Sequence, residues 1–400
     1  MTRTATSANA TSSTTLSPGM VRVFAFCVGV VVANVYYAQP IIELIAPGLG
    51  LSSQAASFIV SLTQIGYACG LFLLVPLGDL LENKKLIIAT VLVTAVSLTL
   101  AATAHSPSIF LAASILVGLT SVSVQMLIPL AAHMTPEATR GRVIGNIMGG
   151  LLTGILLSRP VSSVVTDMFG WRAIFAAAAV AMLLVAAIVA VLIPKRQPDA
   201  TLHYGELLAS LVHLFRDNEV LRRRAFYQAC MFAAFTLFWT AVPIELVRVH
   251  AFSQTQIALF ALIGAAGVFS GPLGGRLADA GHSRIGTLAA LWVCALALFA
   301  AATSLGGSVL ALALGAVALD FCVQLNMVIG QRNIYHLPAH HRSRLNAIYM
   351  TSIFLGGSVG SAIASSLYNF DGWPAIAIAA GLFPLIAGVV AVFWERKPAA

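Results

Sequence analysis

Gly145-Asn146-Ile147-Met148-Gly149-Gly150-Leu151-Leu152-Thr153-Gly154-Ile155-Leu156-Leu157-Ser158-Arg159-Pro160 lies inside an apolar run from Val143 to Val165. A run of this kind crosses a bilayer, whose hydrocarbon core of about 30 Å takes about 20 residues of helix. It nevertheless carries one full positive charge, Arg159, well inside the span. An arginine at a helix centre costs about 2.5 to 3.5 kcal/mol on insertion scales, so it is expected to face protein or water and to have a partner. Gly145 with Gly149, and Gly150 with Gly154, form two small-xxx-small steps that admit a neighbouring helix closely. Close helix contact beside a buried charge reads as a pathway through the protein; the other reading is a structural arginine held by backbone carbonyls.

The composition extends this reading to the whole chain. Of 400 residues, 59% are hydrophobic and only 9% charged, where soluble domains carry about 25% charged residues. An all-α polytopic membrane protein is the class that fits. The first apolar run, Val21 to Ile45, exceeds the roughly 7 to 15 residues of a signal-peptide core and has no small-residue cleavage site behind it, so it counts as a first transmembrane helix. Residues 1–20, rich in Ser, Thr and Ala, are expected to be a disordered N-terminus. The net charge of +8 comes from basic residues flanking apolar spans, where they set topology and do not point to nucleic acid. Five cysteines without CxxC spacing indicate neither a disulfide framework nor a zinc site, and no His/Glu set has metal-ligand spacing. The absence of GxxxxGK[ST] argues against ATP hydrolysis. A membrane enzyme would need a clustered nucleophile or metal set, which the sequence lacks, so no cofactor and no enzymatic activity are expected.

Twelve apolar windows follow one another. The first six run Val21 to Ile45, Gln54 to Leu77, Leu86 to Ala104, Ser108 to Met134, Val143 to Val165 and Trp171 to Ile193. The second six run Ala225 to Val247, Thr255 to Leu277, Ile285 to Thr303, Ser308 to Ile334, Leu345 to Leu367 and Trp373 to Trp394. The expected organisation is a six-helix bundle over 21–193, a linker over 194–224, a second six-helix bundle over 225–394 and a tail over 395–400. Lys84, Lys85, Arg140, Arg142, the linker, Arg276, Arg284, Arg342, Arg344, Arg396 and Lys397 share one side, leaving little beyond Arg172 and Arg248 on the other. By the positive-inside rule both termini are cytoplasmic, as in a multi-pass protein of the inner (plasma) membrane. Within the linker Leu207, Leu208, Leu211, Leu214 and Phe215 recur near helical spacing, which predicts a short amphipathic helix on that face.

The two halves repeat. Ser53-Gln54 answers Ser253-Gln254, Asp79 answers Asp279, Arg140-x-Arg142 answers Arg342-x-Arg344, Glu43-Leu44 answers Glu245-Leu246, and Gly170-Trp171 answers Gly372-Trp373. All five landmarks agree on an offset of 200 to 202 positions. Parallel six-helix repeats about an axis along the membrane normal place a substrate midway at their interface. On these residues the chain resembles the major facilitator superfamily, in its bacterial branch of twelve-helix efflux permeases, arabinose-efflux-like or drug:proton antiporter-like. The family loop motif G-x-L-A-D-R-x-G-R-K is partly met by Gly78-Asp79-Leu80-Leu81-Glu82-Asn83-Lys84-Lys85 and more closely by Gly275-Arg276-Leu277-Ala278-Asp279. Asn34-x-Tyr36-Tyr37-Ala38-Gln39-Pro40 and the stretch from Asp320 to Arg332 are also similar. The antiporter motif of the fifth helix, G-x-x-x-G-P-x-x-G-G, stands in altered form as Gly154-Ile155-Leu156-Leu157-Ser158-Arg159-Pro160-Val161-Ser162-Ser163, with arginine in the proline slot and serines for glycines.

Candidate pathway residues follow from depth. Asp320 is the carboxylate furthest from any membrane edge, about 18 Å from either end of its helix at 1.5 Å per residue. It is placed to exchange a proton, or else to hydrogen-bond between helices for packing alone. Arg159 lies about 25 Å along its helix from Arg142, where it can compete with a proton for Asp320, forming a direct salt bridge, or bind an anionic group. Asn34, Tyr36, Tyr37 and Gln39 of the first span and Trp239 of the seventh are cavity candidates, with interfacial anchoring the alternative for the aromatics. Gln125, Gln324 and Asn326 complete the set. Asp79 with Lys84, Lys85 and Arg142, and Asp279 with Arg284 and Arg344, are by resemblance a cytoplasmic latch of the outward-facing state. The expectation is a monomeric secondary transporter that exports a small organic solute in exchange for protons, by rocking of its halves. Uptake by symport, uniport, and a transport-like receptor are the alternatives.

Overall fold

A computed structural model describes residues 16–198, 203–303, 308–337 and 341–394. The expected disorder of the first residues falls largely on 1–15, and the tail on 395–400, both outside the described residues. Residues 18–20 depart from that expectation. Pro18 begins a helix because Ser17 Oγ accepts a hydrogen bond from the Met20 N–H (3.2 Å) and proline at the first turn has no N–H to leave unpaired.

Helices account for the spans, with no strand among the described residues. The first half contains α1 (Pro18–Ala33), α2 (Ile42–Gly48), α3 (Phe58–Leu73), α4 (Asn83–Thr103), α5 (Pro107–Thr120), α6 (Val124–His133), α7 (Glu137–Phe169) and α8 (Trp171–Leu192). The linker helix is α9 (Tyr204–Asp217). The second half contains α10 (Glu219–Arg248), α11 (Gln254–Ala261), α12 (Ser270–Asp279), α13 (Ser283–Ala301), α14 (Val309–Tyr335) and α15 (Arg342–Trp394). Ten helices are long and apolar enough to cross a membrane among the described residues, counting Pro107–His133 and Gln254–Asp279 each as one. The longest, α15, holds two crossings joined at Asp371 and Gly372, and the shorter α1 begins a further one, so the twelve windows are all occupied.

Besides the 3₁₀ turns Val75–Asp79 after α3 and Ser121–Ser123 between α5 and α6, two longer breaks depart from the apolar windows. The window from Val21 to Ile45 is not one continuous α-helix: after Ala33 the backbone bonds run from Asn34, Val35 and Tyr36 to the third residue back, and a short 3₁₀ turn, Gln39–Ile41, precedes α2. Pro40 supplies no N–H there, and the Asn34 side chain donates to the Val31 carbonyl (3.1 Å), competing with the backbone. The second break, the 3₁₀ run Leu262–Phe269, joins α11 to α12. By contrast, the duplicated Gly-Trp pair explains itself. Gly170 (φ 83°) and Gly372 (φ 60°) both occupy the left-handed region at the same corner of their halves, where a side chain would be strained.

The halves pack alike. In the first, α1 lies on α7, α3 on α5 and α4 on α8; in the second, α10 lies on α15, α12 on α14 and α13 on α14 and α15. The halves meet where α3 packs on α15 and α7 on α11. Small residues set these distances, though not all those with the right spacing. A Cβ on Gly150 would meet the Ala25 carbonyl and one on Gly154 the Gly29 carbonyl, so this step does seat α7 on α1. A Cβ on Gly145 or Gly149 would meet nothing within 4 Å, so that step seats no helix. Linker helix α9 is amphipathic as expected, burying Leu207 and Leu211. It also bridges the halves, since Tyr204 Oη donates to the Leu73 carbonyl (2.8 Å) in one half and Ser210 Oγ accepts from Arg344 (3.0 Å) in the other.

The end of the molecule away from the lysine- and arginine-rich loops is sealed by polar contacts between halves. Arg248 of α10 grips both oxygens of Glu43 in α2, with Nε donating to Oε2 at 3.0 Å and Nη2 to Oε1 at 3.2 Å. Around it Asn369 donates to Ser53 Oγ (3.4 Å), the Ser57 N–H to Ser365 Oγ (3.1 Å) and Thr255 Oγ1 to Asp167 (2.7 Å). Glu245 accepts from Tyr368 Oη (2.7 Å) and so stays within its own half.

Gly154→Val is expected to lower stability by about 1 to 3 kcal/mol through overpacking, with Gly145→Val near neutral; thermal unfolding in detergent measures the difference. Arg248→Ala is expected to loosen the seal. With exposed Cys69 replaced by Ser, a Thr240→Cys reporter should react with an impermeant thiol reagent up to about fivefold faster, since a partly exposed ion pair contributes about 0 to 1 kcal/mol.

Candidate functional site

Two helices bring the lone base and the lone acid to the same place. On α14, Asp320, Val323, Gln324, Met327, Gln331 and Tyr335 line a central cavity, and their spacing of three and four keeps them on one helical face. On α7, Ile144, Met148, Leu151, Ile155 and Arg159 do the same. Each stripe covers 15 positions, about 22 Å at 1.5 Å per residue, and in both the charged residue is the one furthest from the basic loops. The cavity, about 390 Å³, thus runs from a charged head toward the basic end. Tyr36 of the first span, Phe232 and Phe235 of α10, and Phe354 of α15 complete its walls.

Arg159 is 4% exposed. Its Nε donates to Gln39 Oε1 (3.0 Å), and the Gln39 amide nitrogen in turn donates to Thr240 Oγ1 (3.4 Å) across the two halves. Its guanidinium carbon lies 4.5 Å from the Trp239 ring, 5.2 Å from Phe235 and 5.4 Å from Tyr36. Three aromatic faces therefore take the place of backbone carbonyls, and a desolvated contact of this kind contributes up to about 2 kcal/mol. Its Nη2 has no hydrogen-bond partner.

Asp320, 7% exposed, accepts from Trp239 Nε1 at 3.4 Å through Oδ1, while Oδ2 has no partner. The 3₁₀ run Leu262–Phe269 passes close beside it. A Cβ on Gly264 would sit 3.3 Å from Oδ2, and one on Gly267 would sit 3.0 Å from the Asp320 carbonyl oxygen. The expected direct salt bridge is not formed: no ion pair joins Arg159 to Asp320 among the described residues. Trp239 stands between them, offering its ring face to the cation and its N–H to the carboxylate.

Other candidates divide by where they lie. Tyr36, Gln125 and Gln324 line the cavity, and Gln125 accepts from Asn346 (3.4 Å) across it near the basic end. Gln39 and Trp239 hold Arg159 from behind. Asn34 turns toward α8, with Nδ2 3.3 Å from Met182 Sδ. Tyr37 lines a separate groove between α1 and α7, with Ala25, Gly29 and Gly154. Asn326 donates to Gln228 (2.7 Å), tying α14 to α10. The spacing of Phe232, Phe235 and Trp239 on one face of α10 was the available signal for the two phenylalanines. Nothing in the sequence marks Gly264 and Gly267 as neighbours of Asp320.

The loop-motif charges take other partners in this arrangement, whereas the latch that the resemblance implies belongs to the outward-facing state. Asp279 pairs with Arg332 (3.1 Å), Lys85 with Glu82 (3.4 Å), and Arg344 reaches Ser210 of α9. Asp79, Lys84, Arg142 and Arg284 enter no ion pair among the described residues. In this arrangement the polar seal is at the opposite end.

Comparison with known proteins agrees with this architecture. The sequence profile described as Major Facilitator Superfamily matches residues 24–291 and 224–400. An Escherichia coli O157:H7 protein named "Uncharacterized transporter YgaY" is 38% identical over 384 residues, covering 95% of this chain and 96% of that protein. "Probable transporter SCO4007" of Streptomyces coelicolor is 30% identical over 363 residues, covering 89% of this chain and 83% of its own. In fold, the chain is similar to a bacterial homolog of the human lysosomal transporter Spinster, crystallised in an inward-facing and occupied conformation. The TM-score is 0.72 at 13% identity, over 95% of this chain and 98% of that one. With a helical membrane fold, a central cavity between two matching halves and a family profile spanning nearly the whole sequence, the chain belongs to the Major Facilitator Superfamily and is a membrane transporter, not an enzyme.

Proposed function

We propose that the protein exports a small organic solute in exchange for protons, as a member of the efflux branch of its family. The observation that carries this reading is the pair at the cavity head: Asp320 and Arg159, deep in apolar surroundings, share Trp239 without touching each other. A carboxylate so placed can take up a proton without first breaking an ion pair. Protonation removes its charge and changes what the indole N–H and the cavity hold. By the positive-inside rule, the basic loops support a reading in which both termini and the cavity mouth lie on the cytoplasmic side of a bacterial inner membrane. Solute then enters from the cytoplasm, the halves rock, and a proton arriving from outside at Asp320 accompanies release. The weak seal at Glu43 and Arg248 suits a contact that must break in every cycle. That residues of one chain line the cavity supports a monomeric working unit, with solute, protons and the bilayer as its partners; no cofactor is proposed.

Proteoliposomes with an imposed pH gradient and a panel of radiolabelled solutes test this. Solute and protons are expected to move in opposite directions. Asp320→Asn should abolish gradient-driven flux while leaving solute-for-solute exchange at saturating solute; flux indifferent to the gradient would establish uniport instead, and parallel movement symport. Trp239→Phe keeps a ring under Arg159 but removes the N–H. It is expected to insert normally and to lower gradient-driven flux by about tenfold to a hundredfold, the worth of a hydrogen bond to a charged group.

A further inference from the structure

The head of the cavity has an acceptor and a donor that the protein itself leaves unsatisfied. Asp320 Oδ2 and Arg159 Nη2 are both without hydrogen-bond partners, on residues that line the same cavity. Of their other polar atoms, Oδ1 is taken by Trp239 and Nε by Gln39. Unmet polar atoms at such depth are costly, and here they are of opposite kind. Trp239 takes a contact from each group, its face under Arg159 and its N–H toward Asp320, and no ion pair joins the two among the described residues. Just beneath lies an aromatic belt: Phe232 stacks on Phe235 (5.2 Å between ring centres, 11° between planes), and Phe354 packs on Phe232 (5.2 Å) and on Tyr67 (4.3 Å).

We propose that this site selects a zwitterion with an apolar or aromatic body, of the chemical class of an α-amino acid. Its anionic group meets Arg159 Nη2, its ammonium meets Asp320 Oδ2, and its body rests on the belt of Phe232, Phe235 and Phe354. The reason is charge balance. One base and one acid make a head with no net charge when both are ionised, and a zwitterion satisfies both atoms while keeping it so. A cation alone leaves Nη2 unmet, an anion alone leaves Oδ2 unmet, and either brings an uncompensated charge into surroundings of low dielectric. This inference rests on the transport reading above and adds the substrate class to it.

The test is binding to the full chain in nanodiscs, with no gradient, followed by Trp fluorescence. The probes are L-phenylalanine and L-leucine, each beside its amide, which is a cation only, and its N-acetyl derivative, which is an anion only. At least one zwitterion is expected to bind about tenfold or more tightly than both of its blocked partners. Arg159→Gln should erase the advantage over the amide, and Asp320→Asn the advantage over the N-acetyl form. Arg159→Lys and Asp320→Glu, which keep the charges, should restore part of each and show that the altered protein is folded. Blocked forms binding as well as the zwitterions, no zwitterion binding in the panel, or preferences unchanged in the folded variants would overturn the substrate class. Export is judged separately by flux: a clear zwitterion preference without proton-driven counterflow would overturn the export reading alone.

Discussion

One indole ring holds the centre of this protein apart. Trp239 presents its face to the Arg159 guanidinium and its N–H to the Asp320 carboxylate, so two opposite charges share a neighbour without meeting. Their direct attraction would be large at this depth, about 4 kcal/mol at 4 Å even with an effective dielectric constant of 20. A closed pair would also use up the hydrogen-bonding atoms that a cargo needs. Keeping the pair open takes three helices at fixed separations. Gly264 and Gly267 let the 3₁₀ run press against Asp320, while Gly150 and Gly154 let α7, which carries Arg159, lie directly on α1. The geometry of the head therefore depends on backbone approaches made elsewhere.

Most of the architecture was legible because hydropathy reports the bilayer, and a bilayer accepts little besides helices. Arg159 and Asp320 stood out for the same reason: a full charge in an apolar window has to be accounted for. What could not be read was direction. Tyr36 faces the cavity, while Tyr37 faces the groove between α1 and α7 and Asn34 faces α8. The cause is the change from four-residue to three-residue backbone bonds after Ala33, which alters the angle between successive side chains. A reading at constant helical pitch treats the three alike. The small-xxx-small steps show the same limit, since the spacing is present twice and only the step at Gly150 and Gly154 is used against α1.

The indole between the charges was the least legible feature. Tryptophan near the end of a span reads equally well as an interfacial anchor, and only the convergence of α7, α10 and α14 brings its two faces of chemistry into use. The loop charges fell between these extremes. Their places in the repeat were plain, but Asp279 pairs with Arg332 of α14 and not with Arg284 or Arg344. Pairing among exposed charges depends on which end of the molecule is shut, a property of conformation and not of sequence.

The closed end breaks the symmetry that the rest of the fold observes. Glu43 and Glu245 occupy equivalent positions, but the residue equivalent to Arg248 is Ala46, so the cation that shuts this rim has no twin. A protein assembled from two copies of the first segment would bring a pair of anions together there with nothing to neutralise them. The duplicated segments have thus become lock and key: similar in shape, they are no longer interchangeable in charge.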